Sequence, residues 1–346
     1  MKTKFFLTLT LISCLFLLTG CIRIKTGGDQ GGIFKSFDKA ESWEQKVFVS
    51  QVKKKTVTIS DANVTNIVLS PDDTNFIYLG TEEDGLYLSF NGGEKWADTL
   101  TNKGRIDSLT FDPQNSATAY VSKGSLIFKT KNRAENWEQI YLEANQQTIT
   151  YLAVDPQNSN KIYAGLADGR LLRSLDQGKT WQILNDFKAK IKQILINKKD
   201  SKIIYVATSN KGFFKSTDQG ANWEDTTKNV KFSGVRDFKF AVFDATKSDA
   251  LIIATKYGLL KTIDGGKTWQ EIKLLTLPGK VSILSLAINS TNANEIYYGT
   301  KEALFKTNDG GKTWKTISLP SQRAPVYLAI DYVNPSVIYL GVAKIK

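Results

Sequence analysis

Few residues of this 346-residue chain could carry chemistry, and their types exclude more than they permit. There is no histidine, which removes Ser-His-Asp hydrolysis, histidine-ligated zinc and most proton shuttling. Both cysteines, Cys14 and Cys21, fall within the first 21 residues, so the rest has no disulfide, thiol nucleophile or cysteine metal site. Carboxylates and cations are what remain. Glycosidic hydrolysis needs two carboxylates flanking one bond. Asp107 and Asp237 sit near the starts of expected strands, but in repeats too far apart to form such a pair. Basic residues begin five expected inner strands: Arg105, Lys190, Arg236, Lys280 and Arg323. Grouped around one opening, they would receive an acidic segment or a carboxylate. Asn63 and Thr148 hold the corresponding place in the other two repeats. No cofactor and no metal are expected.

The elements that would position these residues are read from a repeat. All seven tryptophans end one short phrase, clearest in Ser174-Leu-Asp176-Gln-Gly178-Lys-Thr180-Trp181 and Thr307-Asn308-Asp309-Gly310-Gly311-Lys312-Thr313-Trp314. From Trp96 the spacings are 41, 44, 42, 46 and 45 residues, a period that marks propellers and solenoids. Each unit reads as four short strands joined by tight turns: in 281–317, Val281 to Ile288, Ile296 to Thr300, Ala303 to Lys306, and Trp314 to Leu319. Six complete units cover 64–100, 105–141, 148–184, 190–226, 236–272 and 281–317. The ends are complementary halves. Gly32 to Trp43 reads as a third and fourth strand, while Val326 to Asp331 and Val337 to Gly341 read as a first and second. Left apart, the halves would expose unpaired strand edges. The expectation is an all-β, seven-bladed β-propeller of four-stranded blades, its closing blade shared two plus two between the chain ends. The 53 residues from Trp43 to Trp96 leave room for an insertion near 49–62, carrying Lys53-Lys54-Lys55, that extends the closing blade or forms a surface hairpin.

The phrase resembles the Asp box, or bacterial neuraminidase repeat, of sialidases and sortilin-type receptors. Its structural positions here are Asp38 and Trp43, Asn91 and Trp96, Asn132 and Trp137, Asp176 and Trp181, Asp218 and Trp223, Asp264 and Trp269, and Asp309 and Trp314. An Asp or Asn side chain accepts bonds from nearby backbone amides and so fixes a tight turn. Gly178, Gly220, Gly266 and Gly311 supply positive φ, and Ala40 and Ala134 replace that glycine in two eroded copies. The tryptophan packs between neighbouring sheets. A turn repeated at every blade is scaffold rather than seven binding sites.

Lys2 and Lys4 precede an apolar run from Phe5 to Leu18 that is short for a membrane span. It ends in Leu18-Thr19-Gly20-Cys21, which resembles the lipobox of bacterial lipoproteins. The resemblance implies a signal peptide at 1–20, acylation of Cys21, a flexible tether over 21–31 and a propeller over 32–346. The protein would then be lipid-anchored to the cell membrane, facing the periplasm or the cell exterior. An ordinary secretory signal with a chance cysteine, or an uncleaved anchor, is the alternative. Loss of Lys2 and Lys4 lowers the formal charge from +12 to +10.

Seven such blades in one ring behind an exported N-terminus resemble the photosystem II stability and assembly factor family, over residues 31–346. The resemblance implies a non-enzymatic protein-binding or assembly role, with a protein partner such as a membrane-protein subunit bearing an acidic segment. The competing reading is a glycoside hydrolase of the xyloglucanase or sialidase kind. No Arg-Ile-Pro type motif or three-arginine cluster supports a sialidase, and xyloglucanase-type enzymes resemble two facing propellers where this chain has length for one. No nucleic-acid partner is expected, since the aromatics are accounted for as blade core, and the protein is expected to be a monomer.

Overall fold

The computed structural model describes residues 29–100 and 103–345. The described residues contain strands and turns and no helix. Seven four-stranded antiparallel sheets form, together with one two-stranded hairpin. Blade 1 consists of Val64–Leu69, Ile77–Thr81, Leu86–Ser89 and Ala97–Asp98. Blades 2 to 6 begin with Ser108–Asp112, Ile149–Val154, Ile191–Ile196, Phe238–Phe243 and Ser285–Asn289. These first strands touch their neighbours all the way round, so they form the inner wall of a closed ring.

Closure happens in blade 7, whose strand order joins the two ends of the chain: Glu44–Gln45, Gly32–Ser36, Ile338–Ala343, Ala324–Ile330. Phe34 lies opposite Leu340 and Lys35 opposite Tyr339, which is the two-plus-two arrangement expected. The insertion is a surface hairpin of Phe48–Val52 against Lys55–Thr58.

The core is not central. It lies in seven apolar clusters, one at each seam between neighbouring blades. Second strands are therefore buried on both sides, as in Ile77–Thr81 and Ile204–Thr208. Ile77 faces the seam with blade 7, while Tyr78 faces the seam with blade 2. That double burial explains why these strands read as unbroken apolar runs rather than alternating ones.

Each Asp box is a hydrogen-bonded turn between third and fourth strands. In blade 3 the Thr180 amide and hydroxyl donate to the two Asp176 oxygens at 2.9 and 2.6 Å, and the Gly178 amide donates to Ser174 Oγ at 2.8 Å. The Thr180 hydroxyl, the Thr180 amide and Ser174 hold the Asp176 carboxyl down at about 2. Asp218 is held at about 2 by the Asn222 amide and side chain. Hydroxyl and amide donors depress Asp264 and Asp309 in the same way. Of the tryptophans that follow, the indole N–H groups of Trp181 and Trp223 donate within their own turns to Gly178 and Gly220. In three blades the tryptophan reaches back to the preceding blade, the indole N–H groups of Trp96, Trp269 and Trp314 donating to the carbonyls of Lys46, Thr226 and Lys273. The turn is itself gripped from that side. Tyr205 donates to the Gly265 carbonyl, Tyr339 and Lys35 to Gly92, and Tyr297 and Lys306 to Lys39.

Gly178 has a φ of 90°, and a Cβ there would meet Ile140 Cδ1 at 2.5 Å. Ala134 takes the same left-handed conformation, at φ 67°, and carries its strain. Ala134→Gly should stabilise the protein by up to ~1 kcal/mol and Gly178→Ala should cost about 1–2 kcal/mol. Urea midpoints decide, and a destabilised Ala134→Gly would show that the turn is unstrained. A second expectation concerns acid. The four turn aspartates are more acidic folded than in the unfolded chain, where they titrate near about pH 4. Their contribution is therefore complete above about pH 4 and is lost as pH falls through 2. Thermal midpoints should drop over that window, and less steeply when Asp176, Asp218, Asp264 and Asp309 are all changed to Asn. Parallel curves would remove the turns from the acid response.

Candidate functional site

The inner strands enclose an axial cavity of about 660 Å³ lined from all seven blades. Alternation along a strand sends one side chain into a seam and the next toward the axis. The axis-facing set is polar at one end of the channel. Asn66, Arg105, Asp107, Thr150, Lys192, Gln193 and Lys239 line it there, with Tyr151 and Tyr327 alongside.

Several of these groups also bind one blade to the next. Asn66 Nδ2 donates to the Ile106 carbonyl at 3.2 Å, and Thr150 Oγ1 donates to Ile191 at 2.6 Å. Gln193 exchanges bonds with both backbone groups of Ala241, at 3.0 and 2.8 Å. The mouth is thus a rigid rim whose shape follows from the ring.

The five cations expected at this rim have different fates. Arg105 lines the cavity, with its guanidinium on Asp107 at 3.0 Å and also on Glu82. Lys190 is exposed, and its charge acts on Lys192. Arg236 is exposed but tied to Asp225 at 2.5 Å, and Lys280 lies in the exposed loop leading into blade 6. Arg323 departs from the expectation. It is 4% exposed, and it holds the chain together rather than facing a partner. Its Nε donates to Asp29 Oδ1 at 2.8 Å, and its Nη1 donates to the Asp61 carbonyl at 2.8 Å and to Asn63 Oδ1 at 3.3 Å. The guanidinium lies across Gly31, where a Cβ would stand 2.1 Å from Nη1. Lys344 pairs with the other Asp29 oxygen at 2.5 Å. Lys344 and Arg323 together draw the Asp29 carboxyl below its usual range.

That lock fixes where the N-terminal segment leaves the ring. Asp29 is bound beside Asn63, whose carbonyl accepts the Glu82 amide, and Glu82 is the partner of Arg105. Residues 29–31 therefore emerge on the channel-mouth face, beside the first strands of blades 7 and 1. Cys21, the signal peptide and most of the tether fall outside the described residues.

Lys192 and Lys239 were missed from the sequence. Both lie one or more residues inside the strands, at bulges that turn two successive side chains toward the axis. Lys192 is exposed to solvent, yet partial desolvation by the surrounding channel walls, then repulsion from Lys190 and Lys239, lowers its pKa, with Asp237 acting the other way. The two carboxylates considered for hydrolysis are engaged: Asp107 accepts from Arg105 and from the Gly124 amide at 2.7 Å, and Asp237 pairs with Lys239 at 3.0 Å. Among the described residues no group of three or more His, Cys, Asp or Glu is placed to hold a metal ion.

Residues 19–197 match the family model described as photosynthesis system II assembly factor YCF48, and residues 169–272 match the one described as sortilin, neurotensin receptor 3. The photosystem II assembly lipoprotein Ycf48 of Prochlorococcus marinus is 24% identical over 153 residues, 44% of this chain and 42% of that protein. A xyloglucanase of Paenibacillus sp is 26% identical over 149 residues, 36% of this chain and 14% of that protein. The matched regions thus span less than half of either relative. The solved structure of a GH74 enzyme from Niastella koreensis superposes with a TM-score of 0.68 at 19% identity, over 81% of this chain and 51% of that one. A structure of YCF48 bound to D1 peptide gives 0.63 at 16% identity, over 82% and 93%. At these identities the structural likeness is one of fold.

The Arg323 lock makes its own prediction. Arg323→Met should cost about 1–2 kcal/mol, because Asp29, the Asp61 carbonyl and Asn63 Oδ1 lose a charged donor. It should also speed proteolysis ahead of Gly32 under native conditions. Unchanged cleavage and stability would mean the lock is incidental.

Proposed function

The chain belongs to the photosynthesis system II assembly factor YCF48 family, and from that premise we propose that it is a membrane-tethered, non-enzymatic propeller whose channel mouth receives an acidic segment of a protein partner. One observation carries the reading: the cationic mouth and the emerging N-terminal segment share a face. With Cys21 acylated, the eight residues from Cys21 to Asp29 reach at most about 29 Å. The mouth then works close to the bilayer, where extramembrane segments of a membrane subunit are found. A fold relative solved with a bound peptide supports the same use of the scaffold. The chemistry required is modest. Lys190 and Lys192, which no carboxylate pairs among the described residues, carry the uncompensated positive charge that steers a carboxylate-rich segment inward. The hydrogen-bonded rim, with Arg105 and Lys239 braced by their own carboxylates, presents it without rearrangement.

Hydrolase relatives make a glycosidase the second reading. Against it, Asp107 and Asp237 stand on blades 2 and 5, each held by its own cation. A hydrolytic pair needs one free base and one protonated acid across a single bond.

The test is binding of a Glu- and Asp-rich decapeptide to the detergent-solubilised full chain, followed by fluorescence anisotropy. Arg105→Gln, Lys190→Glu and Lys239→Gln together should weaken binding at least tenfold while circular dichroism shows the ring still folded. Equal affinity for acidic and neutral peptides would overturn the proposal, as would reproducible turnover of xyloglucan.

A further inference from the structure

Lys192 differs from the other cations that line the cavity. Arg105 has Glu82 and Asp107, and Lys239 has Asp237. Among the described residues no carboxylate lies within ion-pair distance of Lys192, although its side chain lines the 660 Å³ cavity. The charged groups acting on it are Lys190, Lys239 and Arg105, which oppose its charge, and Asp237, which favours it. Lys192 is solvent-exposed on the channel wall, so folding sets a hydrated but unneutralised cation in a concave space among like charges. Such an arrangement works against stability and is the kind retained where a ligand supplies the missing charge.

The surroundings define that ligand. Tyr151 and Tyr327 stand in the same cavity, and enclosure raises both hydroxyls above their ordinary range, so they stay protonated as donors. Tyr151 shares a hydrogen bond with Gln193, the neighbour of Lys192. The other two lining cations are held by carboxylates. One unpaired cation with neutral hydroxyl donors suits a single carboxylate better than a phosphate dianion, which draws several free cations or a bidentate arginine. Cavities of about 300–1,000 Å³ hold small ligands or a few residues of a peptide end.

We propose that Lys192 is the receiving charge of a carboxylate site inside the channel, which takes a chain-terminal or small free carboxylate. It deepens the mouth reading above, on which only the peptide source of the carboxylate rests.

The full chain is titrated with sodium acetate and sodium succinate against sodium chloride at matched ionic strength, with the thermal midpoint as readout. The carboxylates should raise the midpoint of the unaltered protein beyond chloride. Lys192→Met should melt higher than the parent without ligand and lose that carboxylate-specific rise, whereas Lys192→Arg should keep it. The rise should also fade as pH climbs through the lowered lysine range. A second arm compares tetrapeptides ending in a free carboxylate or an amide. Preference for the free acid, abolished by Lys192→Met, assigns the peptide source; acetate protection without that preference assigns the free small carboxylate. No carboxylate-specific rise, or an equal rise in Lys192→Met, overturns the site. Loss of acidic-decapeptide binding with acetate protection intact would instead sink the mouth reading and leave this site standing.

Discussion

The structure depends on one pairing, that of Gly32–Ser36 with Ile338–Ala343. A propeller blade has no core of its own. Its apolar surface is buried only against the blades on either side, and the seven clusters at the seams are the consequence. An open arc of seven blades would leave two faces wet and two edges unpaired. By drawing the closing blade from both ends, the chain makes the last seam conditional on the first residues of the body. Phe34 and Leu340 share one cluster while Ile33 and Tyr339 share the next, so the paired strands fill both flanking seams at once.

The ring was legible in the sequence because its signals are local and repeated. A tryptophan at a steady period, an Asp or Asn five residues ahead of it, and complementary half-repeats at the ends specify blade number and closure without long-range information. The left-handed turn glycine was equally readable, even where Ala40 and Ala134 had replaced it. The mouth was less so. Position at the start of an inner strand does not say whether a cation faces the channel, a neighbouring loop or the interior. Arg323 and Arg105 occupy equivalent places, yet only blade 7 has the N-terminal segment crossing its first strand, and Arg323 is consumed there. Lys192 and Lys239 needed strand phase as well as position, and phase is reset by bulges in the inner strands, at the register shifts between Ile191 and Gln193 and between Phe238 and Phe240.

Net charge was the bluntest signal, because part of it is structural. Lys35, Lys129 and Lys306 are 5–7% exposed and lie where one blade meets the Asp-box turn of the next. Lys35 donates to the Gly92 carbonyl, Lys129 to the Gln177 side chain and Lys306 to the Lys39 carbonyl. Burial lowers the pKa of all three. They work as long donors that cap a neighbour's turn, with methylene stems packed in the seam, and add nothing to a partner-facing field.

This divides the molecule by face. At the Asp-box end, cations and carboxylates are bound to the chain's own turns, and rigidity is what they supply. At the mouth end the rim is braced by hydrogen bonds from Asn66, Thr150 and Gln193, and the cations Arg105 and Lys239 are paired with carboxylates there. The lock at Asp29 puts the N-terminal segment on that second face. Had Gly32–Ser36 served as a second or fourth strand of its blade, it would have run the other way and carried the segment to the Asp-box end. The two-plus-two split therefore sets which face the segment leaves from as well as closing the ring.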